Sequence, residues 1–289
     1  MDFTNNSNLQ DYLRRKEMEE AAKKASRKRI VEEQNKKRWL EYQQHLRNTL
    51  GGGGYLQSSV EYITDDLLVY YDAGVLTSYS GSGTSIYDLS GNNRTGTIAG
   101  SPAWSAGYFT FSNDSIITPD LDQVVTAGDE AHSVEVWVYP TNNGVIASYQ
   151  GSGAINSGYH FSAIELVSGQ VEFGLWNGAG ITSTGPTGTL TLNEWHQLVL
   201  TYNGHGSPVK GYIDGVLVDQ TANMNFNSPM DDGISQFRIA FGTQDSTDQG
   251  NGTYFDGRIS IMKIYGKELT SAEVVQNYTS HHRRFVYNG

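Results

Sequence analysis

The chain has no cysteine among its 289 residues. Without thiols it can form no disulfide scaffold, no Cys-ligated metal site and no thiol nucleophile. It also lacks a run of about 18 apolar residues, so the sequence predicts no membrane-spanning helix. No basic stretch followed by an apolar one opens the chain, and we therefore expect no secretory signal. The net charge of −11 argues against a protein that coats nucleic acid along its length.

Glycine and tyrosine are abundant, with 33 and 18 copies, and this composition favours an all-β domain with many turns. The charge is divided unevenly along the chain. Residues 1–50 hold 12 Lys/Arg and 8 Asp/Glu, a net charge of +4, whereas the rest holds 8 and 23, a net charge of −15. Such asymmetry predicts two parts with different partners.

The basic part is predicted to be a long α-helix over residues 8–49, since it contains no Gly or Pro and begins with the capping box Ser7–Gln10. Gly51–Gly54 would end it. Its thin apolar stripe holds no heptad register, so the helix is either a solvated tail or an anchor that needs a surface. The predicted anchor residues are Leu9, Leu13, Trp39, Tyr42 and Leu46. We predict a helical anchor or oligomerisation segment at 1–50, a Gly-rich linker at 51–59 and a β-sandwich at 60–289.

From residue 60 onward, short alternating stretches are broken by Gly, Asn, Asp and Ser, which is typical of an antiparallel sandwich or barrel. In Ser133–Tyr139 the valines face one way and the aromatics the other, which predicts a central strand covered on both faces. Asp214-Gly215 predicts a type I′ hairpin. The capping box Thr270–Glu273 predicts a short C-terminal helix.

Several of these stretches, in this order, resemble the laminin-G-like branch of the concanavalin A-like lectin/glucanase superfamily. The matching pieces include Leu67–Asp72, Tyr87–Asn93, Gly107–Phe111, Val134–Pro140, Glu194–Tyr202, Gly211–Val216 and Phe255–Tyr265. The resemblance implies an all-β jelly-roll sandwich of two stacked antiparallel sheets, often with a structural calcium, between the long N-terminal helix and the short C-terminal helix. We expect Trp137 and Trp195 to pack between the two sheets. The fold alone does not specify a function.

The sequence predicts a protein that is not an enzyme. Enzymes of this fold carry alternating carboxylates on one strand, where period two places them on one face. No such array occurs, because Glu165 and Glu172 are each isolated within their strands. A Gly-x-Ser-x-Gly elbow and a zinc motif are also lacking.

Two kinds of binding site are predicted, each with a structural alternative. A sugar site in the loops Tyr149–Tyr159 and Trp176–Gly180 would use Tyr149, Tyr159, Trp176 and Asn177, which could equally be strand-end packing residues. Calcium prefers six to eight oxygen ligands, and the loop residues Asp88, Asn92 and Asp256 offer them. The alternative for these three is turn capping.

Domains that resemble this one usually lie outside cells, yet the sequence shows no secretory signal and no cysteine. A virion protein that is made in the host cytoplasm fits both observations. The resemblance adds to this, since such single domains behind short extensions occur in phage and large-virus structural proteins. We expect a non-enzymatic appendage that is a homo-oligomer, anchored to a capsid or tail protein by its helix and displaying a lectin-like head toward surface glycans. The alternatives are a free-standing carbohydrate-binding lectin module and, third, a glycoside hydrolase.

Overall fold

The structure is a computed structural model, and it describes residues 14–16, 61–105, 107–121, 130–150, 160–176, 181–223, 236–242 and 253–286. The chain divides into two units, Met1–Gln57 and Ser58–Gly289. In the first unit residues 14–16 are helical. The five anchor residues lie outside the described residues, so the long N-terminal helix stays a prediction: Leu9, Leu13, Trp39, Tyr42 and Leu46. Within the described ranges, no helix is both long and apolar enough to cross a membrane.

The second unit is built from β-strands and one C-terminal helix, α1 (Ser271–Val286). The strands, in chain order, are β1 (Leu67–Asp72), β2 (Ser85–Ile86), β3 (Gly96–Ala99), β4 (Ala103–Ser105), β5 (Tyr108–Phe111), β6 (Ser115–Ile117), β7 (His132–Pro140), β8 (Gly144–Gln150), β9 (His160–Val167), β10 (Gln170–Trp176), β11 (Ile181–Ser183), β12 (Thr187–Thr189), β13 (His196–Tyr202), β14 (Val209–Ile213), β15 (Val216–Gln220), β16 (Gln236–Ile239), β17 (Phe241–Gly242), β18 (Thr253–Tyr254) and β19 (Gly257–Tyr265).

These strands form two large antiparallel sheets and a small one. The eight-stranded sheet has the order β15-β14-β13-β7-β19-β5-β4, with β1 also paired to β19. The nine-stranded sheet has the order β11-β10-β9-β8-β16-β6-β3-β2, with β12 also paired to β10, and β17 pairs with β18. The predicted all-β, two-sheet antiparallel sandwich is therefore confirmed.

Alternation along the strands places one apolar core between the two sheets. Val134, Val136 and Val138 of β7 contribute to it from one side, and Phe173 and Phe237 from the other. All five side chains are almost completely buried. The predicted separation of the valines from the aromatic residues on the two faces of β7 is therefore confirmed.

The predicted hairpin joins β14 to β15. Asp214 and Gly215 have φ angles of 51° and 78°, the positive values that a type I′ turn requires. The Asp214 carboxylate accepts a hydrogen bond from the Gln197 amide at 2.9 Å and contacts His196 Nδ1 at 2.8 Å. Burial acts to lower the pKa of His196, but the hydrogen bond and charge of Asp214 outweigh it and the pKa is raised. The turn is thereby fastened to β13.

Helix α1 covers part of the outer face of the eight-stranded sheet. Thr270 and Glu273 form the predicted capping box, since the Thr270 amide donates to Glu273 Oε2 and the Glu273 amide donates to Thr270 Oγ1. A second apolar cluster fills the space between helix and sheet: Leu67, Tyr70, Trp137, Val199, Tyr212, Ile261, Tyr265, Leu269, Val274 and Phe285.

The two tryptophans expected between the sheets lie elsewhere. Trp137 is buried on the outer face of its sheet, where it stacks on Phe285 of α1 with ring centroids 4.3 Å apart. Trp195 is partly exposed beside the same phenylalanine, at 4.7 Å. The prediction was wrong because it assumed that only the inter-sheet space buries aromatics, whereas α1 creates a second core.

Candidate functional site

A buried ion pair lies beneath helix α1, at the centre of the outer face of the eight-stranded sheet. The Lys263 ammonium is 3.4 Å from Glu135 Oε1, and both side chains are fully shielded from solvent. Glu135 also accepts hydrogen bonds from Asn277 at 2.7 Å and from Gln197 at 3.0 Å. Desolvation by burial lowers the pKa of Lys263, and the charge of Glu135 opposes that shift.

A second ion pair holds the last turn of α1. Arg284 donates to both carboxylate oxygens of Asp72, at 2.6 and 2.8 Å, and its other nitrogen donates to the Gly107 carbonyl and the Ser260 hydroxyl. Asp72 is almost completely buried. Charge-assisted hydrogen bonds of this kind are stronger than those between neutral groups.

Between these two pairs lies His281, buried against the Tyr70 hydroxyl. Burial, with the nearby positive charges of Lys263 and Arg284, holds the pKa of His281 well below its usual value. Most charged groups of this layer are paired with one another, so we interpret the layer as the attachment of the helix and not as a ligand site.

Beyond the end of α1 the outer face of the same sheet is partly open, and a different cluster lies there. It consists of Tyr108, Tyr139, Trp195 and Arg258, which we call the Arg258 surface, and all four are partly exposed. The Arg258 guanidinium carbon is 4.6 Å from the ring centroid of Tyr139 and 4.8 Å from that of Tyr108. Trp195 lies edge-on to Tyr139 and tilted against Tyr108, with centroids 5.7 and 5.8 Å away.

Strand register explains how these four residues meet. Arg258 of β19 is paired with Tyr139 of β7 on one side and with Thr110 of β5 on the other. Directly paired residues point to the same face of a sheet, so Tyr139, Arg258 and Thr110 form a row across it. Thr110 is exposed, which places a hydroxyl at the edge of the surface.

The nine-stranded sheet carries a pair of carboxylates. Glu172 of β10 lies directly opposite Glu165 of β9, and Ser183 donates a hydrogen bond to Glu172. Opposed residues have Cβ atoms about 4.5–5.5 Å apart, so the two acidic side chains are neighbours and not isolated as their sequence spacing indicated. The absence of catalysis stays a prediction.

The four residues predicted to bind sugar are not brought together by the described residues. Tyr149 lies in β8, not in a loop, and is only 2% exposed, packed on Phe237 with ring centroids 4.8 Å apart. Its assignment to a sugar site was wrong, because Tyr149 is paired with Phe237 on the face of the sheet that lines the core. Trp176 is the last residue of β10, and Tyr159 and Asn177 lie outside the described residues.

The predicted calcium ligands are divided between two places. The Asp88 carboxylate accepts hydrogen bonds from the amides of Tyr70, Ser90 and Arg94, at 2.9 to 3.0 Å. The Asn92 side chain donates its amide hydrogens to main-chain carbonyls. Both residues are therefore turn caps and do not fit a calcium site.

Asp256 directly precedes β19, whereas Asp88 binds the amide of Tyr70, which is paired with Lys263 in the second half of β19. At about 3.3 Å per residue along the strand, Asp256 and Asp88 are on the order of 20 Å apart. The Asp256 main-chain oxygen accepts hydrogen bonds from Thr141. No group of three or more metal-ligating side chains occurs in the part of the chain that the structure describes.

The Arg258 surface was missed by sequence reasoning. Its members are far apart in the chain and come from β5, β7, β19 and the turn before β13. Of the four, only Trp195 was singled out beforehand, as a core residue. The available signal was the alternation within Ser133–Tyr139, which placed Tyr139 on the outer face with Trp137.

Solved structures similar to this chain share its sandwich at low sequence identity, which shows the fold alone. Domain 4 of the extracellular arabinanase AbnA from Geobacillus stearothermophilus, solved with arabinotriose, is 19% identical over 74% of this chain and 98% of its own, with a TM-score of 0.54. A botulinum neurotoxin type C whose cell entry depends on two ganglioside molecules is 16% identical over 75% and 52%, with a TM-score of 0.53. Trypanosoma rangeli sialidase, in complex with sialic acid, is 16% identical over 75% and 33%, with a TM-score of 0.56.

This chain thus spans nearly all of the arabinanase domain, about half of the neurotoxin and a third of the sialidase. No curated protein matches it by sequence. A family model does match, over residues 110–275, which is more than half of the chain and includes most strands of both sheets. The chain belongs to the concanavalin A-like lectin/glucanase superfamily, in its laminin-G-like branch.

Proposed function

We propose that the second unit is a carbohydrate-binding module and that the Arg258 surface is its sugar site. The observation that carries this proposal is the cluster of three partly exposed aromatic rings around one guanidinium, where α1 leaves the sheet open. Aromatic faces offer apolar area for the C–H side of a pyranose ring, and the polar edges of Tyr and Trp bind its hydroxyls. The family, and the sugar complexes of the arabinanase domain and the sialidase, support the proposal.

A glycan array with the full chain tests this function. We expect binding to a defined set of glycans, and we expect Tyr139→Ala to reduce it at least about tenfold through loss of one aromatic platform. Tyr87→Ala is the control, because Tyr87 is 54% exposed and lies outside the surface. Equal loss in both variants, or no binding by the parent chain, would refute the proposal. Loss with Trp176→Ala alone would place the site at the end of β10 instead.

We propose for the whole chain a role as a virion appendage, with residues 1–50 as the anchor and homo-oligomerisation segment on a capsid or tail protein. Two observations favour it: the division into two units and the change of net charge from +4 to −15 between residues 1–50 and the rest. Deleting residues 1–50 is expected to abolish incorporation into particles without changing sugar binding. Incorporation of the truncated chain at the parental stoichiometry would contradict this role.

A further inference from the structure

We infer that the Arg258 surface selects saccharides that carry a carboxylate, an inference that rests on the proposed sugar site. Arg258 is partly buried, yet among the described residues it makes no hydrogen bond and no ion pair. Its contacts are the faces of Tyr108 and Tyr139. Arg284, by contrast, forms an ion pair with Asp72.

The two rings hold the guanidinium plane without using its hydrogen-bond donors. A cation over an aromatic face is attracted by the ring, and two faces restrict the rotamers of the side chain before any ligand arrives. A guanidinium has five N–H donors in a planar fork that matches a carboxylate bidentately. The guanidinium of Arg258 therefore keeps its donors available for a ligand, because no acceptor among the described residues binds them.

The neighbouring groups add donors. The indole N–H of Trp195 and the hydroxyls of Tyr108, Tyr139 and Thr110 have no hydrogen-bond partner in the described part of the chain. All of them are partly or fully exposed. The hydroxyls can donate or accept, whereas the guanidinium and the indole N–H can only donate, so the surface is complementary to a ligand rich in oxygen acceptors.

Charge makes the selection more specific. The chain carries a net −11, so it repels anions in general, and binding of an acidic sugar would have to come from a local contact. Arg258 is the cation of this surface, and Asp72 neutralises the nearby Arg284. A carboxylate accepts two parallel hydrogen bonds from this fork.

Titration calorimetry with the full chain tests the inference using matched ligands. The probes are trigalacturonate and its methyl ester, in which esterification removes the charge, together with sialyllactose and lactose, which lacks the acidic residue. We expect each acid to bind at least about tenfold more tightly than its neutral partner, because the hydrogen bonds to it are charge-assisted. Raising the salt concentration should reduce the difference in affinity between each acid and its neutral partner, because salt screens the interaction between the two charges.

Variants separate the role of Arg258 from general effects. Arg258→Gln should make the affinities for acid and ester equal, and Arg258→Lys should keep only part of the preference for acid because an ammonium lacks the planar fork. Thermal melts of both variants verify that the fold is intact. Equal affinity for acid and ester, a preference that survives Arg258→Gln, or tighter binding of a sulfated sugar would overturn the inference. If neutral sugars still bind and this binding depends on Tyr139, the proposed sugar site is supported even when the selection of carboxylates is not. If no sugar binds at all, both the sugar site and its selectivity are refuted.

Discussion

At the scale of single residues, Glu135 connects more parts of the second unit than its position in one strand indicates. Its two oxygens accept from Lys263 of β19, Gln197 of β13 and Asn277 of α1. Such a network is rigid, because its members bind one another, although the buried Gln197 Oε1 has no partner among the described residues. Removing one partner leaves a buried charge uncompensated.

Replacing Lys263 with methionine therefore tests the layer beneath the helix. Lys263→Met should lower the free energy of unfolding by about 3–5 kcal/mol, since it leaves the Glu135 carboxylate buried without its counter-charge. Adding Glu135→Gln to this variant should restore part of the loss, because an amide of the same shape carries no charge. Urea unfolding curves measure both.

The control is Lys210→Met, which breaks the Lys210–Glu268 pair, whose side chains are 29% and 19% exposed. Pairs near solvent contribute about 0–1 kcal/mol, so this variant should lose little stability. Similar losses in Lys263→Met and Lys210→Met would contradict the interpretation of the buried pair.

At the scale of elements, helix α1 is attached by a layer in which two cations, Lys263 and Arg284, are matched by two carboxylates, Glu135 and Asp72. His281 lies near Lys263 and Arg284, with Asp72 and Glu135 as the facing carboxylates and His282 beside it on the helix. Burial also lowers the pKa of His282. Protonation of His281 would add a third buried cation to this layer, so acid should weaken the attachment.

The pH dependence of stability follows in sign from the lowered pKa. A histidine whose folded pKa lies below its unfolded value of 6.5 binds more protons when unfolded, so the free energy of unfolding falls as pH drops below about 6.5. The loss from one such group cannot exceed about 1.4 kcal/mol for each pH unit below 6.5. The variant His281→Gln should show a shallower fall over that range, measured by urea unfolding at each pH.

His196 is the internal reference for this measurement, because its raised pKa acts in the opposite direction. The His196→Gln variant should steepen the acid loss, whereas His281→Gln should reduce it. Parallel pH profiles for the parent chain and His281→Gln would show that this histidine is not the acid-sensitive group.

Short sequence motifs predicted the individual turns and helices correctly, but they did not predict which elements contact one another. The positive φ angles at Asp214-Gly215 and the capping box at Thr270 follow from neighbours in the chain. The burial of Trp137 under α1 and the pairing of Glu165 with Glu172 depend on which strand lies beside which. Alternation assigns the two faces of a strand but does not say what covers each face.

At the scale of the whole molecule, the prediction of two sheets was correct, whereas of the predicted sugar site only the placement of Tyr149 is tested, and Tyr149 lies in the core. The sandwich required only many short alternating strands, whereas the Arg258 surface requires four distant segments in one register. Among the predicted sugar residues, Tyr149 was expected in a loop, but it lies within strand β8. The division into anchor, linker and sandwich stays a prediction, with boundaries at 1–50, 51–59 and 60–289.

Deleting residues 1–57 tests whether the second unit folds independently. The unit Ser58–Gly289 contains both sheets and α1, so the truncated chain should keep the melting temperature of the parent within a few degrees. Calorimetry or circular dichroism measures this. A melting temperature lower by more than about 10 °C would show that the first unit stabilises the second, since about 1 kcal/mol shifts it by only 2–4 °C in a domain of this size.

Strand β19 has a consequence for how the protein folds during synthesis. It is the last strand in chain order among those described, yet it lies in the middle of its sheet and hydrogen-bonds to β7, β5 and β1. Until it leaves the ribosome, β1 lacks its partner strand and the eight-stranded sheet has a gap at its centre. Closing that gap joins residues nearly 200 positions apart, for example Leu67 and Tyr265. Folding should therefore be slow and largely post-translational, with exposed strand edges that make nascent chains vulnerable to aggregation.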